Sequence, residues 1–154
     1  MTTPVRSDAA IPNPKLDALA PLLGTWATTG RHPYVPDTIF HGRWSFEHIE
    51  GGAFVLLRSA TDEPEIPDGV AVLGSEDASD TLSMLYFDQR GVSRRYEASM
   101  KDGVFRWWRD APGFSQRFTC TMAPGGRTME ARGELSRDGS TWEADLSLSY
   151  TRIA

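Results

Sequence analysis

Two groups of side chains in the middle of the chain could carry acid–base chemistry. Tyr86 and Asp88 are two residues apart, so in a β-strand they point to the same face, and a carboxylate beside a phenol can exchange protons with a substrate. Arg58 falls on the inward parity of its own predicted strand, where a cation needs an anionic partner from the protein or from a ligand. A salt bridge to Asp88 or Glu97 would also meet that need. Tyr86, Asp88 and Arg58 are therefore the catalytic candidates if the protein is an enzyme.

The histidines and the single cysteine do not predict a metal site. His41 and His48 are seven residues apart on one predicted strand and so point to opposite faces, while His32 lies in a proline-rich loop. Cys120 is the only cysteine, which excludes an intrachain disulfide and a thiolate cage. The glycine-rich nucleotide motifs and the Gly-x-Ser-x-Gly hydrolase motif are also missing. The sequence therefore gives no support for a metal, for nucleotide binding or for triad hydrolysis.

Length and composition indicate one globular domain. The chain has 154 residues, of which 40% are hydrophobic and 24% charged, as is ordinary for a globular protein. A net charge of -5 argues against nucleic acid as a partner, because nucleic-acid binders need clustered Lys and Arg. No apolar run is long enough to span a membrane, and the first residues lack the apolar core of a signal peptide. We therefore expect a cytoplasmic protein without a membrane span.

One short helix is predicted ahead of the strands. Residues 1–12 are polar and without periodicity, and we expect a flexible tail there. Asn13 offers an N-cap and Pro14 a first-turn residue, and the helix should end at Ala20 because Pro21 disfavours helical geometry in the residue before it.

The remainder of the chain predicts an all-β fold, a ten-stranded antiparallel up-and-down β-barrel formed by a single domain over 13–154. Turn signals such as Asp102-Gly103 and Asp138-Gly139 recur at roughly ten-residue spacing, which is typical of such folds. The predicted strands are 24–31, 38–49, 53–60, 69–75, 81–88, 92–101, 104–109, 114–122, 127–136 and 140–152.

Alternation within the strands assigns side chains to the interior. In 140–152, Trp142 and Arg152 fall on the inward parity and Asp145 on the outward one. The interior is therefore rich in aromatic residues with few polar groups, which suits either a ligand cavity or a filled barrel. The predicted ligand-binding residues are Trp44, Phe46, His48, Arg58, Tyr86, Arg94, Tyr96, Trp107, Gln116, Phe118 and Trp142. Loops 31–37 and 61–68 either border the portal or are plain solvated loops.

Two distant segments resemble the calycin superfamily of lipocalins, fatty-acid-binding proteins and nitrobindins. These are Gly24-Thr25-Trp26, where the first strand begins, and Arg152 on the last strand. The resemblance implies that Gly24, Trp26 and Arg152 have structural roles at the closed end of the barrel. Parity agrees, since Trp26 and Arg152 face inward on strands that must be neighbours if the sheet closes, and the guanidinium should lie over the indole.

Longer phrases resemble a family of small bacterial proteins of unknown function, common in actinobacteria and calycin-like. Among them are 41–47, 51–54, 86–92 and 108–118, and the resemblance spans about residues 14–153. Nitrobindins, the nearest functional relatives that this implies, hold haem through a histidine late in the chain. The last strand here contains no histidine, and all three histidines lie in the first third, so we expect no cofactor.

The sequence is therefore compatible with three functions. The first is a non-enzymatic protein that holds a small hydrophobic or amphipathic molecule in the barrel, as a monomer or a homodimer. The second is an enzyme of the cyclase or isomerase type that uses the same cavity. The third is a nitrobindin-like haem protein.

Overall fold

The fold is a closed antiparallel barrel of ten strands, as predicted. The computed structural model describes residues 10–154, so residues 1–9 of the predicted tail lie outside the described part. Each strand pairs with the next one along the chain, and β1 pairs with β10 to close the sheet. The strands are β1 (Gly24–Arg31), β2 (Phe40–Ile49), β3 (Phe54–Thr61), β4 (Gly69–Ser75), β5 (Leu82–Asp88), β6 (Ser93–Lys101), β7 (Val104–Arg109), β8 (Ser115–Met122), β9 (Thr128–Ser136) and β10 (Glu143–Arg152).

A 3₁₀ segment, Pro14–Leu22, precedes the barrel, and a second, Glu50–Gly52, joins β2 to β3. The predicted end at Ala20 is wrong. Pro21 removes only its own N–H donor, and the Leu23 N–H closes the last turn onto the Ala20 carbonyl at 3.2 Å. No helix within residues 10–154 is both long and apolar enough to cross a membrane.

The 3₁₀ geometry also decides which leucines are buried. With three residues per turn, side chains at i and i+3 lie one above the other. Leu16, Leu19 and Leu22 are accordingly buried, whereas Leu23, which a 3.6-residue period would place on that face, is only partly so. The segment therefore packs an apolar face against one end of the barrel.

Trp26 and Arg152 close that same end. They are paired in register across β1 and β10, and the Arg152 Cζ lies 4.2 Å from the centroid of the fully buried Trp26 ring. The guanidinium also donates to the carbonyl oxygens of Leu23 at 2.6 Å and Gly126 at 3.3 Å. The Trp26 indole N–H donates to the Leu22 carbonyl at 2.9 Å. The carbonyl acceptors of Arg152 and the π face of Trp26 offset the cost of desolvating the guanidinium.

Gly24 is needed where the 3₁₀ segment turns into β1. Its φ of +122° lies in the region that favours glycine, and a Cβ there would collide with the carbonyl oxygen of Ala154 and crowd the Arg152 guanidinium. The Thr25 N–H donates to that same carbonyl at 2.9 Å. The absence of a side chain thus lets the last residues pack against the first strand.

The interior above this end is filled by aromatic side chains. Phe46 packs edge-on against Phe105 with centroids 6.0 Å apart, and Trp44 meets the buried Tyr150 edge-on at 5.1 Å. All four residues are at most 6% exposed. This half of the barrel is therefore a packed core, and the edge-on aromatic pairs add to the free energy gained by burial.

The predicted parity of β3 is wrong. Val55 and Leu57 are buried, whereas Phe54 and Arg58 are exposed, so Arg58 points away from the interior. The prediction relied on Phe54 as an inward residue, but this ring is 42% exposed. A large aromatic residue near a strand end is a weak guide to parity, because exposed apolar side chains are common on protein surfaces.

The predicted parity of β10 fails at its start for a different reason. The register with β9 shifts between Ala144 and Ser147, so a β-bulge places an extra residue in β10. Asp145 therefore turns inward, against prediction, and Trp142 turns outward, where its ring lies 3.8 Å from the Cζ of Arg117. Beyond the bulge the predicted alternation holds.

His48 is also exposed rather than inward. It lies one residue before the end of β2, beside the 3₁₀ turn Glu50–Gly52 that leads into β3. At the rim of a barrel, the inward parity no longer guarantees a covered side chain. His48 therefore contributes nothing to the interior.

Replacing Arg152 by Ala should lower the free energy of unfolding by about 1–3 kcal/mol, because it removes a cation–π contact, packing over Trp26 and hydrogen bonds to carbonyl groups. Equilibrium urea unfolding measures this change. Arg132→Ala, which removes an exposed arginine from β9, is the matched control and should change stability little. Equal stabilities for the two variants would contradict the structural role of Arg152.

Candidate ligand-binding cavity

A cavity of about 280 Å³ occupies the end of the barrel opposite Trp26. In an up-and-down barrel, the connections after the odd-numbered strands all lie at one end, and the cavity is bordered by residues from four of them. These connection residues are His32, Tyr34, Glu65, Ile66, Pro67, Arg90 and Phe114. Loops 31–37 and 61–68, for which the sequence left a portal and a plain solvated loop as alternatives, therefore contribute residues to the cavity mouth.

Three parallel rings form one wall. Trp107 stacks on Phe118 with centroids 4.6 Å apart and planes 8° apart, and Phe118 stacks on Trp44 at 5.8 Å and 12°. Tyr96 meets Trp107 edge-on at 4.7 Å, and Tyr86 meets Tyr96 edge-on at 6.1 Å. Trp107 and Phe118 lie opposite each other on the neighbouring strands β7 and β8, and Trp44 joins the stack from β2, so packing fixes the planes of the rings in an apolar wall.

A chain of hydrogen bonds runs across the polar side of the cavity. The Tyr96 hydroxyl donates to Gln116 Oε1 at 2.5 Å, and Gln116 Nε2 donates to Asp145 Oδ2 at 3.2 Å. The other carboxylate oxygen of Asp145 lies 2.8 Å from His32 Nε2. The chain joins β6, β8, β10 and the β1–β2 loop, and it fixes the orientation of the Gln116 amide.

The second ring nitrogen of His32 determines where the proton lies. The backbone N–H of Tyr34 donates to His32 Nδ1 at 3.0 Å, so Nδ1 accepts and the proton belongs on Nε2. Both nitrogens of the imidazole are therefore occupied. His32 has no free lone pair with which to act as a base or bind a metal.

Asp145 is ionised in this arrangement. Burial alone would raise the pKa of its carboxyl group, but the hydrogen bonds from His32 and Gln116 outweigh burial and lower the pKa below its ordinary value. The carboxylate is thus stabilised from within the protein. Through its hydrogen bond with His32, the Asp145 carboxylate connects the β1–β2 loop to β10.

Tyr86, Asp88 and Arg90 form a second polar group at the mouth. The Tyr86 hydroxyl donates to Asp88 Oδ2 at 2.8 Å, and Arg90 Nη2 and Nε donate to Oδ2 and Oδ1 at 2.7 Å and 3.2 Å. Burial opposes ionisation, but these bonds lower the pKa of Asp88 to about 2. Burial and the neighbouring carboxylate raise the pKa of Tyr86. At neutral pH neither group is poised to transfer a proton.

The predicted catalytic set is not assembled. Tyr86 and Asp88 do share a face and a hydrogen bond, but Arg58 lies on the outer surface of β3. The cation that pairs with Asp88 is Arg90, from the turn that follows β5.

Arg94 lines the cavity from the inward face of β6, opposite Tyr86. Its Cζ lies 4.8 Å from the centroid of the Phe114 ring, a cation–π distance. No carboxylate oxygen within residues 10–154 lies within 4.0 Å of its guanidinium nitrogens.

The structure brings most of the predicted ligand-binding residues together. Those that line the cavity are Trp44, Tyr86, Arg94, Tyr96, Trp107, Gln116 and Phe118. Phe46 is inward but belongs to the packed core, and His48, Arg58 and Trp142 are outside the barrel interior.

Sequence reasoning missed Asp145 and the role of His32. Gly133 was one sequence feature that could have indicated the inward turn of Asp145, because a glycine inside a strand often marks a bulge or a close backbone approach. A Cβ at Gly133 would lie 3.2 Å from the Leu146 carbonyl oxygen and 3.5 Å from the Asp145 Cβ. Nothing in the sequence indicated that His32, in the loop after β1, would bond to Asp145 on the neighbouring strand β10.

Residues 10–154 contain no cluster of three or more His, Cys, Asp or Glu side chains that could hold a metal ion. Cys120 is buried, and burial raises the pKa of its thiol to about 12. Its Sγ lies 3.7 Å from Met129 Sδ. It is therefore a small core residue rather than a thiolate.

Comparison with known proteins shows the fold. No family model matches the chain, and no curated protein matches it in sequence. Its structure is similar to the crystal structure of Rv2717c from M. tuberculosis, with a TM-score of 0.64 and 16% identity over 92% of this chain and 98% of that one. It is also similar to a protein of unknown function from the DUF3598 family of Nostoc punctiforme, with a TM-score of 0.59 and 8% identity over 88% of this chain and 49% of that one.

Asp88→Asn should lower stability at neutral pH by about 1–2 kcal/mol, since it removes a charged acceptor from Tyr86 and Arg90. A depressed carboxyl pKa stabilises the fold above the unfolded value and ceases to do so as pH falls through the folded value. The difference between the wild type and the variant should therefore shrink as pH falls from 3.8 to about 2. Thermal unfolding across this range measures it.

The exposed Asp110 provides the control for that comparison. Asp110→Asn should track the wild type at every pH. A difference between the wild type and Asp88→Asn that stays constant down to pH 2 would contradict the assignment.

Proposed function

We propose that this protein binds a small amphipathic molecule in the barrel cavity. The observation that carries the proposal is the division of the interior, which is packed with aromatic rings at the Trp26 end and hollow at the other. A cavity lined by apolar walls with a few fixed polar groups is the usual form of a small-molecule site. The loops around it leave a mouth through which a ligand can enter.

The volume favours a small ligand. At about 280 Å³, the cavity is near the lower limit of the roughly 300–1,000 Å³ that is typical of ligand pockets. The parallel rings of Trp107, Phe118 and Trp44 favour a flat body that can lie against them.

We further propose that the chain is calycin-like. Support comes from the contact between Trp26 and Arg152 at the closed end, which is the arrangement that the sequence resemblance implies. The 3₁₀ segment packed against that end agrees with it.

An enzymatic role has less support from the geometry. General acid–base catalysis needs a group with a pKa near the working pH and a proton or lone pair free to transfer. His32 has both nitrogens bonded, and Asp88 and Tyr86 have pKa values shifted away from neutrality.

Haem fits these residues poorly. His32 is the histidine that lines the cavity, and ligation by either nitrogen would break its bond to Asp145 or to the Tyr34 N–H. His41 and His48 are exposed outside it. We therefore assign no haem ligand.

Filling the cavity should abolish binding. Ala71 is 1% exposed and lines the cavity, so Ala71→Phe should occupy the space and Ala71→Leu part of it. A neutral probe, N-phenyl-1-naphthylamine, should bind the wild type at one-to-one stoichiometry with energy transfer from Trp107. Affinity should fall about threefold in the Leu variant and more than tenfold in the Phe variant.

Ala60→Phe adds the same ring to an exposed position of β3 and is the matched control. It should bind the probe like the wild type. Circular dichroism would establish that each variant is folded. Unchanged probe affinity in a folded Ala71→Phe variant would contradict the location of the site.

Titration with ferric haem should give no sharp Soret shift at one-to-one stoichiometry, because no histidine of the cavity has a free nitrogen. Absorption spectroscopy measures this. A stoichiometric Soret shift that disappears in His32→Ala or in His48→Ala would contradict the prediction and identify that residue as a ligand.

A further inference from the structure

The charges that line the cavity are unequally matched. Three arginines contribute to its lining. Arg90 is paired with Asp88 at 2.7 Å and Arg117 with Glu134 at 3.1 Å, whereas Arg94 makes no ion pair within residues 10–154.

Arg94 is nonetheless held in place. Its guanidinium lies against the Phe114 ring at 4.8 Å. Burial raises the pKa of Tyr96, its neighbour on the same face of β6, and the positive charge of Arg94 opposes that rise. A guanidinium has five N–H donors, and no ion pair within residues 10–154 uses those of Arg94.

The carboxylates in and near the cavity do not supply the missing acceptor. Glu65, at the mouth, makes no ion pair with Arg94, and Asp88 and Asp145 have other partners. Both oxygens of Asp88 accept from Arg90, and one of them also accepts from Tyr86. The two oxygens of Asp145 accept from His32 and from Gln116. The interior thus holds an excess of positive charge on the side of β6, and a half-buried cation without an anionic partner favours an anionic ligand.

The shape of the cavity limits what can carry the anion. A carboxylate is planar and presents two oxygens that match the fork of a guanidinium. The volume of about 280 Å³ leaves room for a body of one or two fused rings, and the parallel rings of Trp107 and Phe118 provide a surface for it.

We propose that the cavity binds a small aromatic carboxylate and that Arg94 is the residue that binds its carboxylate group. This inference rests on the proposed ligand-binding function of the same cavity. Phe114 positions the arginine through the cation–π contact, and the stacked rings hold the aromatic body.

The test compares 1-naphthoate with its neutral isostere 1-naphthamide by isothermal titration calorimetry. The wild type should bind the carboxylate at least tenfold more tightly than the amide. Arg94→Gln should weaken carboxylate binding at least tenfold and leave amide binding unchanged, and Arg94→Lys should restore part of the preference because it keeps the charge but not the fork. Arg95→Gln is the control, since Arg95 is the exposed neighbour on the opposite face of β6 and pairs with Glu76.

The outcomes separate this inference from the proposed function. Equal affinity for carboxylate and amide in the wild type, or a preference that persists in Arg94→Gln, would overturn the role of Arg94 while the cavity still bound ligand. Failure of both compounds and of N-phenyl-1-naphthylamine to bind would overturn the proposed function as well. If the preference for the carboxylate were lost in Arg95→Gln but kept in Arg94→Gln, it would be due to surface charge, and the inference would be overturned.

Discussion

Hydrogen bonding between the first strand and the last is the constraint on which the rest of the structure depends. The seam runs from Trp26 opposite Arg152 to Arg31 opposite Ser147. Closure leaves no free sheet edge, and the number of strands then sets the width of the interior. Every inward side chain has to fit that fixed space, and the space that they do not fill becomes the cavity.

Within that space, the two ends of the barrel solve different problems. The Trp26 end is sealed by large rings and by leucines of the 3₁₀ segment, so that apolar burial is concentrated there. At the other end, polar side chains are bonded mainly to one another across strands, which removes the cost of leaving them in an apolar wall. A rigid core thus supports a mouth whose polar groups are already oriented.

The barrel and much of the cavity wall could be predicted from the sequence because both follow from strand alternation. Tyr96, Gln116 and Phe118 lie inward, where a period of two places them. Arg58 was misplaced because an exposed Phe54 was read as inward, which simple alternation cannot correct. The hydrogen-bond chain to His32 depends on a loop conformation, and loop conformation is not encoded in any periodicity.

The β-bulge between Ala144 and Ser147 has a consequence for how such barrels diverge. In evolutionary terms, one additional residue reverses the orientation of everything that precedes it in the strand, so Asp145 enters the wall without any substitution elsewhere. The polarity of the interior therefore varies with strand length as well as with residue identity. Two descendants of one ancestor can line their barrels with different chemistry after a single insertion, and an alignment that scores only substitutions would not register the difference.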